Sequence, residues 1–201
     1  YDYKFLANGS EGSPNPTNWQ SAFDELLRQK NNYSILMPIE EDEGIQQLAL
    51  THVNNKSTKH ECTMTVGTSI AEETDKQNIL NRAKNFNSSR VVLATPGIYR
   101  YNRYAQLTQF SSVYTAAMLA GMAASVDVAE PLTNDVIRAN GITKEWNDVD
   151  FEDFIEGGVC AVEFVDGRGY KIVQSVTTWL KDENTLYTEW SVRRLADSLS
   201  I

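Results

Sequence analysis

Arg90-Val91-Val92-Leu93-Ala94-Thr95-Pro96-Gly97 and, a little further on, Val113-Tyr114-Thr115-Ala116-Ala117-Met118-Leu119-Ala120-Gly121-Met122-Ala123-Ala124 lie in the stretch from Arg90 to Asp127 that decides the fold. The first run is short, apolar and stopped by Pro-Gly, the pattern of a buried strand. The second is the most apolar run in the chain and has helical length. A buried strand feeding a buried helix is the heart of an α/β domain. Ala116, Ala120 and Ala124 recur at helical spacing, with Ala117 and Gly121 beside them. That spacing predicts a small-residue face lying close on a sheet. Leu at Ala120 or Gly121 is then expected to overpack it.

Outward from this centre, helix and strand signals alternate. Thr17 and Gln20 have capping-box spacing behind Pro16. Trp19, Ala22, Phe23, Leu26 and Leu27 predict a first amphipathic helix. Tyr33 to Met37 reads as a short buried strand ended by Pro38. Glu40-Glu41-Asp42-Glu43 precedes a helix carrying Ile45, Leu48, Ala49 and Val53, where acidic groups favour the helix dipole. The cluster lacks the alternating ligand order of a calcium loop. Cys62 to Val66 reads as the next strand. Thr74 and Gln77 predict a second capping box, for a helix with Ile79, Leu80, Ala83 and Phe86. This alternation predicts a mostly parallel sheet flanked by helices on both faces.

The C-terminal third differs. Asp148 to Ile155 predicts a short helix stopped by Gly157-Gly158. Val159 to Val165 and Tyr170 to Thr177 predict strands joined by Asp166-Gly167-Arg168-Gly169, an added antiparallel hairpin. Thr188 is a candidate cap for a last helix with Val192, Leu195, Ala196 and Leu199. Trp146, Trp179 and Trp190 read as core or interface. Residues 1–15 are turn-rich and read as a lead-in loop or arm, within a single domain spanning 1–201. A start at Tyr1 and an end inside a helical pattern predict a piece of a longer chain.

With 27 acidic against 18 basic residues the net charge is −9, which argues against a nucleic-acid-binding face. The two cysteines, Cys62 and Cys160, form neither a disulfide framework nor a metal motif, and they favour a reducing compartment. The apolar run at 113–124 falls short of the roughly 20 residues a bilayer needs, so no membrane insertion is expected.

Chemistry is sparse. A Ser-His-Asp hydrolase would have to use His52 or His60, and Gly-x-Ser-x-Gly is absent. His60 and Cys62 have no second ligand pair. No phosphate-binding loop occurs, and Gly167-Arg168-Gly169 belongs to a turn. No cofactor or metal is expected. The competing class is an α/β hydrolase-like enzyme with an unrecognised site. The unusual surface segment is Tyr99-Arg100-Tyr101-Asn102-Arg103-Tyr104, read as a loop between strand and helix. Aromatics interleaved with Arg suit base stacking or protein hot spots. The acidic total favours a protein contact there, with an inert loop as the remaining reading.

Taken in order, several segments resemble one family. They are the Gly-rich lead-in, the helix ending Phe23-x-x-Leu26-Leu27, and the strand ending Met37-Pro38. Val91 to Gly97, Ala120-Gly121-Met122-Ala123, Val176-Thr177-Thr178 and Ser191-Val192-Arg193-Arg194-Leu195-Ala196-Asp197 follow. The set resembles the central, subtilisin-like domain of contractile tail sheath proteins of bacteriophages and phage-tail-like bacteriocins. The resemblance implies a structural, non-enzymatic subunit of the virion, assembled in the bacterial host cytoplasm. Its implied partners are other copies in hexameric rings stacked as a helical sheath, the tail tube, the baseplate and the tail terminator. Sheath contraction drives the tube through the host envelope. A lattice with two packings needs contacts that change. Glu40 and Glu41 on one segment, and Tyr99, Arg100, Tyr101, Arg103 and Tyr104 on another, are the candidate subunit contacts, with simple solvation as the alternative.

Overall fold

A computed structural model describes residues 14–29, 32–180 and 185–199. The lead-in read at 1–15 therefore lies outside the described residues as far as residue 13.

Helix α1 (Pro16–Arg28) starts at Asn15, not Thr17. The Asn15 side chain accepts from the Asn18 N–H, and Asn18 returns the bond. Asn reaches that amide directly, and Pro16 is preset for the first helical position. Strand β1 (Ile35–Leu36) follows, then α2 (Glu43–Ser57), capped by Asp42 through the Ile45 N–H. Strand β2 (Thr63–Val66) leads through a 3₁₀ turn (Glu72–Thr74) to α3 (Lys76–Phe86). Asp75 caps α3 through the Gln77 N–H. The expected cap, Thr74, instead donates its hydroxyl to the Ala71 carbonyl.

Strand β3 (Val91–Thr95) is buried throughout. The segment read as a loop after it is a hairpin, β4 (Ile98–Tyr101) and β5 (Leu107–Phe110). No Asn-Gly or Asp-Gly marks its turn. Asn102 closes the turn by accepting from the Tyr104 and Gln106 amides, and Ala105 takes the left-handed conformation at φ 56°. Next come α4 (Ser112–Ser125), β6 (Val136–Ile137), β7 (Gly141–Ile142) and α5 (Asp148–Glu156). Strands β8 (Val159–Val165) and β9 (Gly169–Ile172) form the expected hairpin. The strand predicted to reach Thr177 stops at Ile172. Beyond it the backbone finds other partners, Ser175 N–H on Thr133 Oγ1 and Thr177 N–H on the Thr188 carbonyl. Helix α6 (Trp190–Leu199) is the last described element, and it begins two residues after Thr188.

The main sheet has the order β1-β2-β3-β8-β9-β6. Its first four strands are parallel, and β9 and β6 add antiparallel. Alternate residues of a strand point to opposite faces. Val91, Leu93, Val159 and Ala161 accordingly meet residues of α1, α2, α3 and α5. Val92, Ala94, Cys160 and Val162 meet Ala116, Leu119 and Ala123 of α4 and Trp190 of α6. Helices thus cover both faces, as a parallel sheet requires. A second, antiparallel sheet of order β5-β4-β7 is a feature the sequence reading did not contain.

The small-residue face of α4 is a correction. Its buried residues are Ser112, Val113, Thr115, Ala116, Leu119 and Ala123. Ala117, Gly121 and Ala124 are exposed, Ala120 is half-buried, and a Cβ at Gly121 would meet nothing within 4 Å. The helix is rotated so that Leu119, not Gly121, points at the sheet. The tryptophans divide too: Trp190 is buried, whereas Trp146 and Trp179 are half-buried and lie edge-on to Phe154 and Tyr187.

Candidate functional site

The β4–β5 hairpin presents the Tyr–Arg segment. Tyr101, Tyr104 and Leu107 are 61%, 66% and 54% exposed, and Arg100 and Arg103 are exposed as well. The Arg103 guanidinium lies 4.7 Å from the centre of the Tyr104 ring and donates to its hydroxyl. This pairing holds a charged, aromatic knob at the turn. Tyr99 is different. It is half-buried against Gly141, where a Cβ would come within 3.1 Å of its ring. An open groove of about 340 Å³ runs between the hairpin and α4, lined by Ile98, Arg100, Tyr101, Phe110, Tyr114 and Met118 among others. Exposed aromatic and Arg side chains beside such a groove are the residue types that dominate protein interfaces.

The acidic segment lies at the same edge of the main sheet, beyond the C-terminal end of β1. Glu40 is half-buried, and its carboxylate accepts from the amides of Glu41 and Asp42. Asp42 caps α2, and Glu43 accepts from Asn85. Of the two sequence-predicted acidic contacts, the exposed one is Glu41. The Glu41 carbonyl accepts from Arg82, whose other terminal nitrogen pairs with Glu72 at 2.8 Å.

Sequence reasoning missed the next residue in this chain of contacts. Glu73 is 2% exposed, and its carboxylate accepts three hydrogen bonds, from the Gly97 N–H at 2.9 Å, the Ser112 N–H at 2.8 Å and the Thr143 hydroxyl at 2.6 Å. Helix α4 has no acidic residue in its first turn and no side-chain cap from Ser111. Glu73 supplies the negative charge at that end instead. At the other end Arg194 of α6 donates to the Ala123 carbonyl. A partner so distant in sequence leaves no local signal. The one hint was an acidic residue between helix signals, and that reads equally well as solvated.

Of the two candidate catalytic histidines, His52 is a packing group. His52 is buried, stacked on Phe23 and Tyr33, with its Nε2 2.5 Å from the Tyr33 hydroxyl. Burial, followed by the nearby Lys56 charge, holds its pKa below the ordinary value. Burial pushes the thiols of Cys62 and Cys160 up to about 12, so both are protonated at neutral pH and poor nucleophiles. His60 and Glu61 line an open cavity of about 520 Å³ together with Tyr33, Arg194 and Asp197. Its charged wall is an ion-pair cluster in which Arg90 bridges Glu61 and Asp197 and Arg193 joins Asp197, fastening β3 to α6. Among the described residues no cluster of His, Cys, Asp or Glu could hold a metal, and no helix is long and apolar enough to cross a membrane.

A parallel sheet covered on both faces, with a smaller antiparallel sheet on its C-terminal edge, defines an α/β domain whose buried polar groups serve packing. The chain belongs to the family described as the phage tail sheath protein central domain, which it matches over residues 15–178. It is 32% identical over 98% of its length to the tail sheath protein of Bacillus phage SP01, and 23% identical over 96% to that of Staphylococcus phage Twort. It spans about a third of these relatives, 34% and 33% of their lengths. The fold is similar to the sheath tail protein from Desulfitobacterium hafniense, with a TM-score of 0.75 at 13% identity over 96% of this chain and 43% of that one. It is also similar to the helical sheath of the anti-feeding prophage in its contracted state, with a TM-score of 0.67 at 13% identity over 95% and 51%. The family and these relatives are described as sheath proteins, which supports the structural reading over the hydrolase-like one.

Proposed function

We propose that this chain works as the central domain of a tail sheath subunit in a contractile phage tail or phage-tail-like particle. The observation that carries the reading is the 32% identity to a tail sheath protein along 98% of the chain. In this role copies polymerise as stacked hexameric rings around a tail tube, between baseplate and tail terminator. The sheath then shortens and drives the tube through the host envelope. The particle assembles in the bacterial cytoplasm, and the subunit ends in the virion. The rigid body is the doubly covered sheet. The contacts that change partners are the hairpin residues Arg100, Tyr101, Arg103 and Tyr104, supported by Tyr99. The acidic segment contributes through Glu41, with Glu40 shaping its backbone.

Electron microscopy of the intact protein tests the role. Tubular polymers with an axial repeat are expected, and their consistent absence across assembly conditions overturns it. The contacts are tested with Arg103→Glu and Glu41→Lys. Each is expected to impair assembly or contraction while leaving the fold stable, and normal assembly and contraction by both single variants removes these residues from the interface.

A further inference from the structure

The three donors to Glu73 are not scattered. Gly97 immediately precedes β4, Ser112 is the second residue after β5, and Thr143 immediately follows β7. One buried carboxylate therefore binds the root of every strand in the projecting sheet. The roots are crowded as well: a Cβ at Gly97 would lie 2.3 Å from the Phe110 carbonyl oxygen. The turn that carries Glu73 is itself fixed to the body. Glu72 accepts from the Ser69 N–H and hydroxyl and pairs with buried Arg82 of α3. Arg82 also holds the carbonyl of Glu41. Arg82, Glu72 and Glu73 thus place the acidic segment and the hairpin sheet in one frame.

We infer that Glu73 is the positioning residue of the subunit contact, setting the direction in which the Tyr–Arg hairpin leaves the body. The inference rests on the contact reading above. Carboxylates suit this task, because an ionised group offers only acceptors and strengthens each bond it takes. The hairpin is held at both of its roots, through Gly97 and Ser112, and its neighbour β7 at a third point, through Thr143.

Glu73→Gln keeps the volume but, in either orientation, turns an NH₂ group toward a backbone N–H that needs an acceptor, Gly97 or Ser112. Thr143→Val removes the hydroxyl's bond to Glu73 and its longer one to the Gly97 carbonyl, keeps the Thr143 N–H bond to that carbonyl, and serves as the milder variant if Glu73→Gln fails to fold. Both are made in the intact protein and followed by amide hydrogen exchange. Amides of 98–101, 107–110 and 141–142 are expected to exchange about tenfold faster or more, with those of β3 and β8 unchanged. A purely structural role would loosen the core strands to the same degree. Uniform acceleration, or none, therefore overturns the inference. Assembly is scored beside it. Selective loosening with lost assembly supports the positioning role, and selective loosening with normal assembly overturns it. Arg103→Glu on the native Glu73 background separates the two ideas. If Arg103→Glu blocks assembly while Glu73→Gln leaves the hairpin protected, the inference fails and the contact reading stands. If Arg103→Glu assembles normally, the contact reading fails and takes the inference with it.

Discussion

Gly67 and Ser112 touch through their backbones. A Cβ built on Gly67 would lie 2.2 Å from the carbonyl carbon of Ser112, and the Ser112 hydroxyl accepts from the N–H of the next residue, Thr68, at 2.7 Å. The end of β2 thus passes directly under the first turn of α4, and the helix approaches the sheet because the strand end has no side chain there. Gly67→Ala must push these elements apart, since the atoms it meets are backbone. Overpacking of this kind costs about 1–3 kcal/mol. Chemical denaturation should show a loss in that range, and a wild-type midpoint would mean that the contact relaxes freely.

Gly121 behaves oppositely. It sits inside α4, exposed, with open space where a Cβ would go. Glycine there carries the backbone entropy penalty without a steric reason for it. Gly121→Ala is expected to stabilise by about 0.5–1 kcal/mol. A thermal melt that rises confirms the outward face, and a melt that falls by more than a degree or two would place that face in a contact.

The contrast marks how far the sequence could be read. The alternation of apolar runs from Trp19 to Ala124 carries the parallel body, because period and strand length are local properties. Pro96-Gly97 and the glycines after Asp166 mark real breaks. The rotation of α4 was not legible, because a helix apolar on nearly all sides has no stripe to orient it. The second sheet was hidden for a related reason. Its strands are short and exposed, and its turn uses Asn102 and Ala105 rather than an Asn-Gly pair. At the candidate contact surface, the Tyr–Arg segment stood out by composition. Glu73 did not, since its partners lie 24, 39 and 70 residues away.

The thiols offer a readout of core integrity. Cys62, just before β2, and Cys160, in β8, are both buried and free, one in each of the two core clusters, with burial pushing their pKa values up to about 12. A thiolate is the reacting species, so both should resist a disulfide reagent at pH 8 in the native protein. Two equivalents of thiol per chain should appear on denaturation, at a rate that follows unfolding. Rapid labelling of either cysteine under native conditions would contradict the closed core.

His52 makes stability depend on pH. Its folded pKa lies below the ordinary 6.5, chiefly through burial and then through Lys56. Above that value the imidazole is neutral in both folded and unfolded chains, and it contributes nothing to pH dependence. As pH falls through 6.5, the unfolded chain takes up a proton that the folded one accepts only at lower pH, so stability declines. Glu189 and Asp197 act in the opposite sense. Burial raises both carboxyls, and their protonation as pH falls favours the folded chain. The His52 contribution is therefore read as a difference. Denaturation midpoints of wild type and His52→Gln are compared from pH 7.5 to pH 5, the Gln keeping an acceptor for the Tyr33 hydroxyl. The wild type should lose more stability than the variant over that interval, and parallel curves would show that His52 takes up no extra proton on unfolding.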